Sequence, residues 1–163
     1  MNPRRPGADR LRSGSARRAT PDDLPVLVEL RAEMFHAMGV DVSPAGWRDR
    51  AHRWFAERLD HPDYGIFVVE TDVGVVAGAV GAVRDAAPSP ADPEGRDVLV
   101  SNVCTFPAHR GAGHARRAFG AVMRWAGGTG VSRAELMATE AGRGMYERAG
   151  FQVTPWPAMR ARL

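Results

Sequence analysis

The sequence has no lysine, one cysteine and two tyrosines. Without lysine there is no Gly-Lys-Ser or Gly-Lys-Thr ending, so a phosphate loop of the ATPase type is excluded. The chain also offers no lysine side chain of its own for modification; all 22 basic residues are arginine. The single cysteine, Cys104, rules out a disulfide framework within one chain and any thiolate metal cluster. A reducing, cytoplasmic setting is therefore expected. Long apolar runs are missing too, and none follows the basic N-terminus, so neither a membrane partner nor a signal peptide is expected. Five histidines, His36, His52, His61, His109 and His114, show no ligand spacing, and no metal is expected.

What is present fits one domain of ordinary size. The 163 residues are 44% hydrophobic and 25% charged. The net charge of +3 is unevenly placed. Residues 1–18 hold six arginines against one acid, and the rest holds sixteen against eighteen. Residues 1–19 read as a disordered basic tail and 20–163 as a single folded domain. The strands show no interleaving of aromatic and basic residues, so no nucleic-acid partner is expected.

Thr20-Pro21-Asp22-Asp23 reads as a helix start, and Leu27, Leu30, Met34 and Met38 set an amphipathic stripe that ends near Gly39. Ser43-Pro44 opens a second helix running to about Leu59. The runs 66–70 and 75–83 read as an antiparallel hairpin. Residues 85–97, with Asp85, Asp92, Glu94 and Asp97, read as a solvated surface loop. Val98 to Thr105 is apolar enough for a central strand covered on both faces. A helix from His114 to about Ala126, a strand from Arg133 to Met137, a short helix from Gly142 to Ala149 and strands at 151–153 and 159–163 complete the order. The fold class is a mixed α/β layer fold: two helices, a mainly antiparallel mixed sheet, and helices on both faces.

The chemistry points to Val103-Cys104-Thr105-Phe106-Pro107-Ala108-His109-Arg110-Gly111-Ala112-Gly113-His114-Ala115. A strand runs through a proline and a turn with two glycines into a helix. Amides at a helix start are unsatisfied and lie at the positive end of the dipole; small residues let a phosphate oxygen approach them. Arg110 adds a cation. This segment resembles the acetyl-CoA signature of the GNAT acetyltransferases, with Arg110, Gly113 and Ala115 at its fixed positions and Pro107 before the turn. Leu136 to Phe151 resembles the second signature, ending in Tyr146-Glu147-Arg148-Ala149-Gly150-Phe151. One departure stands seven residues before that tyrosine, where many members have asparagine and this chain has Thr139.

The resemblance implies acetyl-CoA as cosubstrate, without a metal, held by Val103, Cys104, Thr105, Arg110, Gly111, Ala112, Gly113, His114, Ala115, Arg116, Thr139, Arg143 and Tyr146. It implies direct attack of a primary amine on the thioester through a tetrahedral intermediate, with a backbone N–H near Cys104 to Phe106 facing the oxyanion. Tyr146 is the expected acid for the leaving thiolate, since a phenol is protonated at neutral pH. Glu33 on the first helix is the named candidate base, beside His36, Asp41, Glu70, Asp85 and a water relay. Cys104 reads as a strand-filling residue, not a nucleophile. Trp47 and Trp54 border the acceptor side. The expected partner is a small-molecule amine. A protein or peptide acceptor, or a non-catalytic acyl-CoA-binding regulator, is the alternative, and a homodimer rests on family analogy alone.

Overall fold

The structure, a computed structural model, describes residues 14–163. Its sheet has five strands in the order β1 (Ser15–Arg18), β2 (Tyr64–Thr71), β3 (Gly74–Asp85), β4 (Arg96–Thr105) and β5 (Ala134–Leu136). Neighbours are antiparallel except β4 and β5, which are parallel. The alternation of strand side chains divides the core. Ile66, Val68 and Val80 face helices α1 (Leu24–Ala37) and α2 (Trp47–Ala56), packing with Leu27, Val28 and Phe55. Val69, Ala77, Ala79, Val98 and Val100 face α3 (His114–Gly127) and α4 (Glu140–Arg148), packing with Phe119, Val122 and Tyr146. With both faces covered, β3 reads as a nearly continuous apolar run, as buried strands do. Gly65 and Gly81, opposite each other on β2 and β3, let the Trp125 ring lie flat against the strands; a Cβ there would come within 2.4 and 2.6 Å of it. The expected mixed sheet with helices on both faces is the fold observed.

Four local readings need correction. The tail was expected to be disordered through residue 19, yet Ser15–Arg18 forms an edge strand on β2. Charge pairs hold it there. Arg17 donates to both carboxylate oxygens of Asp23 (2.6 and 3.0 Å) and to Glu70 (2.6 Å), and Arg18 donates to the Tyr64 carbonyl (2.6 Å). Four residues anchored by arginines leave no apolar period to read. Residues 1–13 of that tail lie outside the described residues. Strands expected at 151–153 and 159–163 do not form; the segment between them turns instead, with the Thr154 hydroxyl donating to the Trp156 carbonyl at 3.0 Å. The second helix begins at Trp47, because Gly46 enters it with φ +78°, and it ends at Ala56. Two acids of the expected solvated loop are buried, Asp92 and Asp97, and Asp97 lies within β4.

Asp97 ties three strands together. Arg84 of β3 donates to both of its oxygens at 2.7 Å and to Glu135 of β5 at 2.8 Å. This pins β5 where it meets β4, over the three pairs Val98–Ala134, Leu99–Glu135 and Val100–Leu136. Beyond Val100 the two strands are no longer paired.

The Arg84 hydrogen bonds hold the Asp97 carboxyl below its usual range despite burial. A depressed folded value contributes stability above the unfolded value near pH 3.9 and loses it as pH falls through the folded one. Asp97→Asn should therefore cost about 2 kcal/mol at pH 7, a figure kept low because Arg84 is well exposed to screening solvent. Denaturant melts of variant and wild type should converge as pH falls through the depressed folded value of Asp97. Equal melts at pH 7 would contradict the pinning role.

Candidate active site

Strand β4 ends at Thr105, and Pro107–His109 makes one 3-10 turn. Arg110 is extended (φ −68°, ψ 161°). Gly111 and Gly113 then take φ of +76° and +79°, which only glycine adopts without strain, and α3 starts at His114. A Cβ on Gly111 would meet nothing within 4 Å, so this residue borders open space. No side chain caps the start of α3. Its first amides thus converge with the dipole on the space above the turn, a site suited to an anion. The Arg117 guanidinium donates to the Ala112 carbonyl at 2.8 Å and lies 3.3 Å from Nδ1 of the buried His114. Arg116 is exposed, and Ala115 is half-buried. Arg110 donates to the Thr105 carbonyl (3.2 Å) and to Glu33 Oε1 (2.8 Å), clamping the turn to both β4 and α1.

The end of β4 is shaped by a bulge. Gly78 pairs with Cys104 and Val80 with Ser101, so Asn102 and Val103 together oppose Ala79. Asn102 has φ +52°, the sole non-glycine residue with positive φ among those described. The Val98 N–H bonds the Arg133 carbonyl on the β5 side, whereas the Phe106 N–H bonds the Val76 carbonyl on the β3 side. Strand alternation then directs the N–H groups of Thr105 and Val103 away from β3, toward the gap where β5 has departed. Within the expected stretch 104–106 this leaves Thr105, since Phe106 is already committed, and adds Val103 from just outside it. Two buried polar atoms nearby, Thr105 Oγ1 and His109 Nδ1, have no partner among the described residues. Cys104 is 7% exposed. Burial, with the Glu33 charge adding, pushes its thiol up to about 11, against the pull of Arg110.

Tyr146 of α4 is 9% exposed and sits edge-on to Phe119 at 5.2 Å, with Phe151 at 6.3 Å. Burial raises its phenol above the ordinary value. Thr139, at the asparagine position, caps α4: its hydroxyl accepts from the Gly142 N–H at 3.3 Å. Arg143 is exposed and pairs with Glu147 one turn on, at 2.6 Å.

Among the acids named from sequence, Glu33 alone reaches the turn. Asp41 caps Ser43 (2.9 Å), Glu70 pairs with Arg17 at the β1 edge, and Asp85 ends β3 opposite Arg96. His36 is exposed at the end of α1. Trp47 stands edge-on to Phe35 at 6.2 Å beside α1, but Trp54 packs on Phe55 and Tyr64 away from the turn. A surface pocket of about 340 Å³ lined by Glu57, Arg58, His61, Asp63, Tyr64 and Val83 contains none of the candidate residues. One residue was missed: Arg31 of α1, which donates to the Asn102 side-chain oxygen at the bulge. Its signal was visible, because an arginine four residues after Leu27 and three before Met34 falls on the apolar stripe.

No curated protein matches the sequence. Solved structures do. A predicted acetyltransferase from Clostridium acetobutylicum, solved with acetyl-CoA, is 24% identical with a TM-score of 0.80, over 91% of this chain and 96% of that one. A GCN5-related N-acetyltransferase from Ralstonia eutropha is 26% identical with a TM-score of 0.80, over 91% and 99%. Glucosamine-6-phosphate N-acetyltransferase from Arabidopsis thaliana shares the fold at 15% identity, with a TM-score of 0.72 over 91% and 98%. The sequence model of the Acetyltransferase (GNAT) family matches residues 27–151, spanning α1, the sheet from β2 onward, the glycine turn and Tyr146. The chain belongs to the GNAT acetyltransferase family.

Proposed function

We propose that the protein transfers an acetyl group from acetyl-CoA to the primary amine of a small molecule. The observation that carries this reading is the alignment of two features. The glycine turn opens an uncapped helix start, and β4 turns unpaired amides into the gap beside it. The residues fit the cosubstrate. Space over Gly111 admits a pyrophosphate to the amides of 111–115, and the unpartnered Thr105 Oγ1 and His109 Nδ1 belong to residues just before the turn. When bound, acetyl-CoA supplies an activated thioester carbonyl.

The chain's own residues divide the remaining work. The Val103 and Thr105 N–H groups polarise the acyl oxygen and align the arm along β4. Tyr146, kept protonated by burial, gives its proton to the departing sulfur. Arg110 bonds only one oxygen of Glu33, and the other takes the amine proton, directly or through a water. Thr139 shapes the α4 start and offers its hydroxyl in place of an amide. Burial, which pushes the Cys104 thiol up to about 11, makes it a poor nucleophile near neutral pH and favours direct transfer over an acyl-enzyme.

Three outcomes are expected. Tyr146→Phe should lower kcat about a hundredfold, leave the acetyl-CoA Kd within about twofold, and do so equally from pH 6 to 9 because the raised phenol does not titrate there. An unchanged kcat would remove the acid role. Gly111→Val should weaken acetyl-CoA binding at least tenfold by calorimetry, since it both strains φ +76° and fills the cradle. Full binding by that variant would place the pyrophosphate elsewhere. Radiolabel from acetyl-CoA should not become covalently fixed to the protein, and stoichiometric label on Cys104 would overturn direct transfer.

A further inference from the structure

Helix α1 carries Glu29, Arg31 and Glu33 in close succession, and both acids are already committed. Glu29 takes Arg48 at 2.5 Å, and Glu33 takes Arg110 at 2.8 Å. Arg31 lies between them, half-buried, and makes no ion pair with any described carboxylate. One of its five N–H donors reaches the Asn102 side-chain oxygen, and its guanidinium lies 4.8 Å above the Phe35 ring. Burial lowers its affinity for its proton, with no opposite charge offsetting the loss of water. An uncompensated, partly desolvated cation is costly to hold in a fold, and an arriving anion would offset that cost. Arg31 is also tied to the bulge residue of β4, next to the unpaired amides that face the proposed transfer site.

We propose that Arg31 binds a carboxylate on the acceptor, so that the acceptor class is amino acids: amines that also carry a carboxylate. The inference rests on the acetyl-transfer reading above and names its substrate. A planar guanidinium with several donors still open matches a carboxylate in two-point geometry. One cation balances one negative charge; the neighbouring cations Arg48 and Arg110 are neutralised by their own acids, so a phosphate dianion would be under-compensated here. Phe35, with Trp47 against it, supplies an apolar wall beside the charge.

The test uses the full-length protein and the common amino acids, each paired with its C-terminal amide, in an assay of thiol release from acetyl-CoA. Wild type and Arg31→Met are compared by the ratio of kcat/KM for acid and amide, which cancels the different basicity of the two amines. Arg31→Met should lower that ratio about tenfold or more, through KM, for the acids that are substrates. Its melting temperature should be equal to or above wild type, because a desolvated cation has been removed; Arg31→Lys should keep part of the preference. A second readout needs no turnover. With acetyl-CoA bound, the Arg31 side-chain resonance in a ¹⁵N-arginine-labelled sample should shift on titration with the amino acids and stay still with their amides. An identical acid-to-amide ratio in wild type and Arg31→Met overturns the proposal, as does an Arg31 resonance that no acid moves. A lower melting temperature with an unchanged ratio also overturns it, and assigns Arg31 to holding the bulge. If acetyl-CoA binds and no amine accepts acetyl, the transfer reading fails, and the resonance titration alone decides the carboxylate site.

Discussion

A strand paired on both sides has no backbone to offer a ligand, so this site depends on where β4 parts from β5. The strands share only three residue pairs and separate after Val100 and Leu136. Two devices fix that point. Arg84, Asp97 and Glu135 lock β3, β4 and β5 together just before it, and the bulge at Asn102 and Val103 turns β4 just after it. Beyond the bulge, β4 stays bonded to β3 through the Phe106 N–H, leaving its other edge to the gap. The glycine turn follows within five residues, and its position against β4 is secured by the Arg110 bond to the Thr105 carbonyl.

Arginine carries the fold's electrostatics. With no lysine, every cationic contact uses a planar fork that can bond two acceptors at once. Arg17 joins β1 to Asp23 and Glu70, Arg84 joins three strands, and Arg110 joins the turn to α1. Arg31 is outside that set of ion pairs: its partner is the Asn102 side-chain oxygen at the bulge, much as Arg18 and Arg117 bond backbone carbonyls.

Most of the architecture was legible because both faces of the sheet are covered: β2, β3 and β4 read as apolar runs, and α1 as a stripe. The glycine turn was legible because positive φ at Gly111 and Gly113 demands residues that stand out in any sequence. What escaped was set by charge or by the absence of pairing. Strand β1 is held by Arg17 and Arg18, which leave no periodicity, and the C-terminal segment alternates in sequence yet pairs with no strand among the described residues. The bulge gave no sign, because asparagine within an apolar strand does not announce its φ. Asp97 looked like one acid among several in a loop, yet its partner lies thirteen residues away on another strand.

The central claim, that the freed edge of β4 and the glycine turn form one cleft for acetyl-CoA, is tested most directly by amide hydrogen exchange with and without that ligand. The structure predicts slowed exchange over residues 101–116 and 137–146, with β2 and the pocket around Glu57 and Tyr64 unchanged. Binding that protects only that pocket, or leaves 101–116 unaffected, would contradict the account.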